Sequence, residues 1–491
     1  MTLPRPAFAA SGALVSPDVA MSEICRQGAS ALARMLADRR ISAVEVAGAF
    51  LDQITAQNLT FNAIVTLRDR QDILADARAL DQARARGDAV GPLAGLPMAF
   101  KDLQPTAGLR TTFGSPLFAD FIPEEDSLTV ARIRAAGAIV IGKTNTPEFG
   151  LGSHTYNTLF GRTRNAFLPA LSAGGSSGGA AVAVALSMLP VADGSDFGGS
   201  LRNPAAFNNI FGFRPSLGRV PNVPAKDAFF GQFSTDGPMA RSVADLALML
   251  SVMAGYDPRS PIASADEGFC YEDRLEGAEA LRPRVAWLGD LGGRLPMEPG
   301  VLALCEAALG AMEQAGWRIE PALPGFDFAA LWRSFVALRG LAALVSHGEY
   351  RSDPSRYAAL KPELQWEITE AAKLSADDVA TAALVRSRWR EIALDLLSRF
   401  DALALPSAQV FPFPVEEDWP KEIAGLAMDS YHRWFEVAAP GSMTGFPVVN
   451  VPAGFAPDGR PMGVQLIGRP RGDLDLLRVA AAYEAAAPRA S

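Results

Sequence analysis

Histidine and cysteine are scarce, with three of each in 491 residues. Cys25, Cys270 and Cys305 lie far apart, fit no metal-ligand spacing and leave one over if two were to pair. A disulfide framework is therefore excluded, and buried thiols in a reducing compartment are expected. His154, His347 and His432 have no second His or Cys three or four residues away, so neither a zinc site nor any other metal is expected, and catalysis must proceed without a cofactor. No stretch supplies the roughly 20 uninterrupted apolar residues of a membrane span. The first twenty residues hold one arginine and no long apolar run, which does not match a secretory leader. Residues 1–28 read as an N-terminal extension of a cytoplasmic protein. A net charge of -9 with scattered Lys and Arg leaves no footprint for nucleic acid.

What is present is an ordinary globular composition, 49% hydrophobic and 20% charged. Apolar positions recur at three- and four-residue intervals over 29–57 and 69–86, which predicts helices. Leu96 to Lys101 predicts a short buried strand, 127–136 a helix, and Ala138 to Ile141 a second buried strand. This alternation predicts an α/β protein. The small apolar run from Gly179 to Leu189 predicts a tightly packed helix, followed by a glycine-rich loop over Asp193 to Ser200. The hydrophobic runs around Val448 and Met462 to Ile467, divided by a turn at Pro457 to Gly459, predict a hairpin. Residues 29–491 are expected as one domain, with a variable region over about 255–435 that closes the substrate pocket.

Three motifs compete for the chemistry. Gly137 to Thr144 (GAIVIGKT) matches the phosphate-loop pattern, but its four variable residues, Ala138 to Ile141, are themselves the expected strand, which argues against nucleotide binding. Gly174 to Gly178 (GGSSG) matches the strand-to-helix elbow of α/β-hydrolases, with Ser176 as nucleophile and His347 or His432 as base. The proline in Phe167 to Leu171 makes a poor strand before that elbow, yet the reading stays open. A second glycine-rich turn, Gly194 to Arg202, follows within one helix length, and amides at Gly198, Gly199 and Ser200 could converge on an oxyanion there. With histidine scarce near both turns, a base other than histidine must be considered. Burial can hold a lysine neutral, and of six lysines only Lys101 ends a strongly apolar segment.

Taken together, Gly95 to Asp102 (GLPMAFKD), Gly174 to Gly179 (GGSSGG) and Asp196 to Arg202 (DFGGSLR) resemble the amidase signature family, and 24 residues separate Ser176 from Ser200 as that family requires. The likeness extends to Gly142 to Thr146, Gly237 to Val243 and Gly445 to Gly468, and spans about residues 30 to 485. The resemblance implies a large mixed twisted β-sheet sandwiched between α-helices. It also implies a Ser-Ser-Lys triad: Ser200 as nucleophile, Ser176, following a cis peptide, as proton relay, and neutral Lys101 as base. The amides of Phe197, Gly198, Gly199 and Ser200 would form the oxyanion hole, and Ser177, Ser195, Asp196 and Arg202 would orient the glycine-rich loops. Phe197 stands where the family has a smaller residue. Phe197, Gly152, Phe229 and Phe230, with Phe233 close by, are the candidate substrate contacts. The implied activity is hydrolysis of aryl or apolar carboxamides, with esters and carbamates as further substrates. The alternative within the resemblance is the glutaminase component of a tRNA-dependent amidotransferase. The expected partner is a small molecule, with neither nucleic acid nor membrane, and a homodimer is compatible with these features.

Overall fold

The computed structural model describes residues 22–229 and 233–487. Its centre is an eight-stranded mixed sheet. From one edge the strands are Arg318–Pro321, Arg284–Trp287, Ala402–Pro406, Pro461–Ile467, Val448–Phe455, Phe211–Arg214, Thr235–Ala240 and Val191–Asp196. The first three run parallel and every later neighbour is antiparallel. Ala402–Pro406 and Pro461–Ile467 are buried at every position, so both faces of the sheet centre are covered. Helices Arg202–Phe207, Val243–Met253, Val301–Gln314 and Asp473–Ala486 pack on it.

A second, three-stranded sheet joins Ile64–Leu67, Ile139–Thr144 and Pro97–Lys101. Its last strand ends against the large sheet, where the Lys101 amide donates to Asp193 Oδ1 at 3.1 Å. Helices Ala29–Ala37, Ala43–Phe61, Arg70–Arg86 and Leu128–Ala135 appear where the sequence pattern places them, and Gly178–Ala185 occupies the small apolar run. Ser42 with Glu45 forms a reciprocal capping box at the start of the second of these.

Two expectations need correction. The stretch Asp193 to Ser200 is not all loop: Val191–Asp196 is a strand paired with Thr235–Ala240, and only the residues after it turn. Cross-strand partners 39 to 49 residues downstream outweigh the weak local strand propensity of its glycine and aspartates. Residues 22–28 are folded, with helix Glu23–Arg26, a buried Cys25, and Arg241 donating to the Cys25 and Gln27 carbonyls. The remainder of the expected extension lies outside the described residues. One segment, Phe328–Ser352, is long and apolar enough by length and composition to span a bilayer. In the fold it packs on helices Pro362–Ala371 and Ala376–Arg399 and carries a buried ion pair from Arg339 to Glu367, so its apolar face is used within the protein. Finally, Gly142-Lys143-Thr144 belongs to strand Ile139–Thr144, and buried Lys143 donates to the Gln104 carbonyl and to Thr106 Oγ1, so the segment forms no phosphate loop.

Candidate active site

Lys101 is the last residue of a strand buried throughout, and its side chain is fully enclosed. Nζ lies 2.7 Å from Ser176 Oγ, 2.9 Å from Ser177 Oγ and 3.0 Å from Ser195 Oγ. Ser177 and Ser195 thus touch the lysine itself, a closer role than loop orientation. Burial pushes the lysine pKa from 10.5 down to about 7, against the opposing pull of Asp193, Asp236 and Asp196. Asp193 was not singled out from sequence. Its carboxyl is pushed upward by burial and by Asp236.

The Gly175–Ser176 peptide is cis, and helix Gly178–Ala185 starts directly after Ser177. A Cβ on Gly179 would lie 2.3 Å from the Asn145 amide nitrogen, so only glycine lets this helix approach the strand that ends at Thr144. No strand leads into the motif: residues 166–177 hold turns and two bridge residues, Leu171 and Ser172. The elbow reading therefore lacks its strand. It lacks its base as well: among the described residues no hydrogen bond joins a histidine to Ser176, whose hydroxyl is bonded to Lys101, while His432 Nε2 lies 2.7 Å from Glu367 Oε1 and the His347 ring packs on Phe149 at 4.4 Å. Buried His154 is held by Ser172 and the Val415 carbonyl, and burial lowers its pKa to about 3, so it stays neutral.

Ser200 is 8% exposed and sits in the turn between strand Val191–Asp196 and helix Arg202–Phe207. Asp196 builds that turn. Its carboxylate accepts from the Gly199 amide at 2.8 Å, the Leu201 amide at 3.1 Å, and Arg202 Nε and Nη2 at 3.0 and 2.9 Å. Burial alone would raise its pKa, but Arg202 and Arg214 hold it far below the usual carboxylate range. Arg202 continues outward to the Ala438 carbonyl, Gln465 Oε1 and Ser442 Oγ, which ties the turn to the sheet centre. Gly199 has φ +106, a conformation that favours glycine. Because its amide is spent on Asp196, the turn offers the amides of Phe197, Gly198 and Ser200, which have no protein acceptor among the described residues. Removing one partner of a buried ion pair costs about 3–5 kcal/mol. Arg202→Met is accordingly expected to lower the urea unfolding midpoint strongly, whereas a change at exposed Arg399, paired with Asp395, should leave it nearly unmoved.

Ser176, Ser195 and Ser200 face one cleft of about 220 Å³. Among the described residues no hydrogen bond joins Ser176 to Ser200, which share the cleft wall. Phe197 also lines it and stacks on Phe233, with ring centroids 5.0 Å apart. The other proposed contacts fare differently. Phe229 is 73% exposed and absent from the cleft wall. Phe230 lies outside the described residues. Gly152 follows Leu151 of the wall but itself faces Lys361 and Tyr431. Sequence reasoning missed Phe149, Arg339 and Glu367, all in the wall, which also holds His347, the base candidate of the elbow reading. The available signal for Arg339 was a single buried cation within the otherwise apolar run from Val336 to Val345. Among the described residues no group of three or more His, Cys, Asp or Glu side chains is placed to hold a metal ion.

A family profile described as Amidase matches residues 45–477. The chain is 35% identical over 463 residues to an acylamidase of Rhodococcus erythropolis, covering 94% of this chain and 95% of that protein. It is 34% identical to the A subunit of the glutamyl-tRNA(Gln) amidotransferase of Moorella thermoacetica, covering 92% and 95%. Among solved structures, a bacterial aryl acylamidase superposes with a TM-score of 0.87 at 28% identity, covering 94% of this chain and 96% of that one.

Proposed function

The chain belongs to the amidase signature family, enzymes that act on the C–N bonds of amides, and we propose that it hydrolyses aryl or other apolar carboxamides through an acyl-enzyme on Ser200. The observation that carries this reading is Lys101 Nζ, fully buried among three serine hydroxyls beside the cleft that holds Ser200. A neutral amine has two N–H bonds and one lone pair. Three hydroxyl partners therefore suit it if Ser176 donates to the lone pair while Nζ donates to Ser177 and Ser195.

In the proposed sequence Ser200 Oγ attacks the carbonyl carbon, and its proton passes through Ser176 to Lys101. The carbonyl π pair moves onto oxygen, where the amides of Phe197, Gly198 and Ser200 stabilise the anion. On collapse the C–N bond breaks and the proton returns through Ser176 to the leaving nitrogen. Water then attacks the acyl-enzyme, its proton follows the same relay, and the carboxylic acid leaves as Ser200 is restored. The same steps serve esters, which lose an alcohol, and carbamates, which lose an alcohol or an amine.

The similarity to the amidotransferase component supports a second reading, glutaminase within a multisubunit complex. Phe197, stacked on Phe233 in the cleft, favours an apolar substrate over glutamine. Ammonia release from glutamine, compared with turnover of an aryl amide, separates the two.

Treatment with a fluorophosphonate is expected to place one adduct on Ser200, located by peptide mass mapping. Because Lys101 must be neutral, the labelling rate should rise as the pH increases through about 7 and be low in acid. An adduct on Ser176 instead, or a rate greatest at pH 5, would overturn the mechanism.

A further inference from the structure

The helix Phe328–His347 brings Arg339 into the same cleft as Ser176, Phe197 and Ser200. Two of its three guanidinium nitrogens are engaged. Nε donates to Glu367 Oε1 at 2.7 Å, and Nη2 donates to the Tyr431 hydroxyl at 3.1 Å. Nη1 has no protein acceptor among the described residues, although the residue is 8% exposed. The group is held in place from several sides. Glu367 Oε1 also accepts from the Tyr431 hydroxyl and pairs with His432 Nε2, and the guanidinium lies over the Phe197 ring at 5.2 Å from its centroid.

A fixed N–H group at the cleft wall would be covered by a bound substrate, and covering it without an acceptor costs free energy, so the substrate is expected to supply one. The charge balance narrows that acceptor's chemistry. Glu367 already neutralises Arg339 and lines the same cleft, so a ligand carboxylate would meet a second carboxylate next to the one Arg or Lys of the described cleft wall. An uncharged oxygen would not. On the amidase reading of this cleft, we propose that Arg339 Nη1 donates to a second, uncharged carbonyl oxygen of the substrate. The enzyme would then select amides whose acyl or amine portion carries a further C=O group. Arg339 acts here as a specificity residue, 5.2 Å from an aromatic ring that shares the cleft with the reacting serine.

The test compares kcat/KM for aryl amides in two matched series, with the extra carbonyl in the acyl chain or on the aryl amine, each against methylene and carboxylate analogues. In at least one series the carbonyl compound is expected to exceed the methylene compound by about tenfold or more, with the carboxylate giving no gain. In the double variant Arg339→Gln/Glu367→Gln, which keeps the buried pair neutral, that preference should fall to within about twofold. Equal kcat/KM for carbonyl and methylene compounds in both series of the unaltered protein overturns the proposal, as does a preference that persists in the variant. If the double variant does not fold, Arg339→Met/Glu367→Met, which leaves neither a donor nor a buried charge at the pair, gives the same decision. Fluorophosphonate labelling accompanies each assay. No adduct on Ser200 in the unaltered protein would overturn the amidase reading itself, whereas labelling without a carbonyl preference overturns only the role of Arg339.

Discussion

Ser200→Ala is expected to lower kcat for amide hydrolysis by about 10⁴-fold or more, since loss of a nucleophile removes the acyl-enzyme route and leaves only binding and oxyanion stabilisation. The fold should survive the change. The turn that carries Ser200 is built by Asp196 and Arg202 through main-chain and ion-pair contacts, and no hydrogen bond of the described residues uses the Ser200 hydroxyl. An unfolding midpoint close to that of the unaltered protein would therefore accompany the loss. Substantial residual turnover in Ser200→Ala, with activity abolished in Ser176→Ala, would assign the nucleophile to the other serine and end this reading.

Lys101→Met is the second large effect. Its apolar chain fills the space of the lysine stem while removing the amine that accepts the relayed proton. General acid–base help is worth about 10²–10⁴-fold, so kcat/KM for an aryl amide should fall within that range. An ester of the same acyl group should lose at least about tenfold less, because an alkoxide or phenoxide leaves with less need of a proton than an amine does. The ratio of the two losses is the informative quantity. Removing the amine also takes a neighbour from buried Asp193 and Asp236, and any resulting loss of folded enzyme cancels between substrates. Equal losses for amide and ester would remove the leaving-group argument.

Much of this site could be read along the chain because its parts are local. Strand Pro97–Lys101, the GGSSGG turn and the DFGGSLR turn each announce themselves within a few residues, through an apolar run ending in a lysine or through glycines where backbone comes close. The helices of the first 140 residues were legible for the same reason, since amphipathic periodicity is a nearest-neighbour property. Val191–Asp196 was not legible as a strand because strand formation there depends on pairing with Thr235–Ala240. The apolar stretch of Phe328–His347 was likewise not identifiable as a core helix carrying a cleft arginine until its packing partners were known.

By itself the sequence determined the α/β class, the serine and lysine that carry the proposed chemistry, and the shape of the turns that hold them, all set by short-range pattern and backbone sterics. Only the tertiary structure decided what surrounds them. Burial that brings Lys101 to a pKa of about 7 depends on two sheets meeting, the withdrawal of the Gly199 amide depends on how Asp196 is enclosed, and the pairing of Arg339 with Glu367 joins residues 28 apart on different helices. Desolvation and ion pairing act through space, and their strength depends on what the folded chain places around each group.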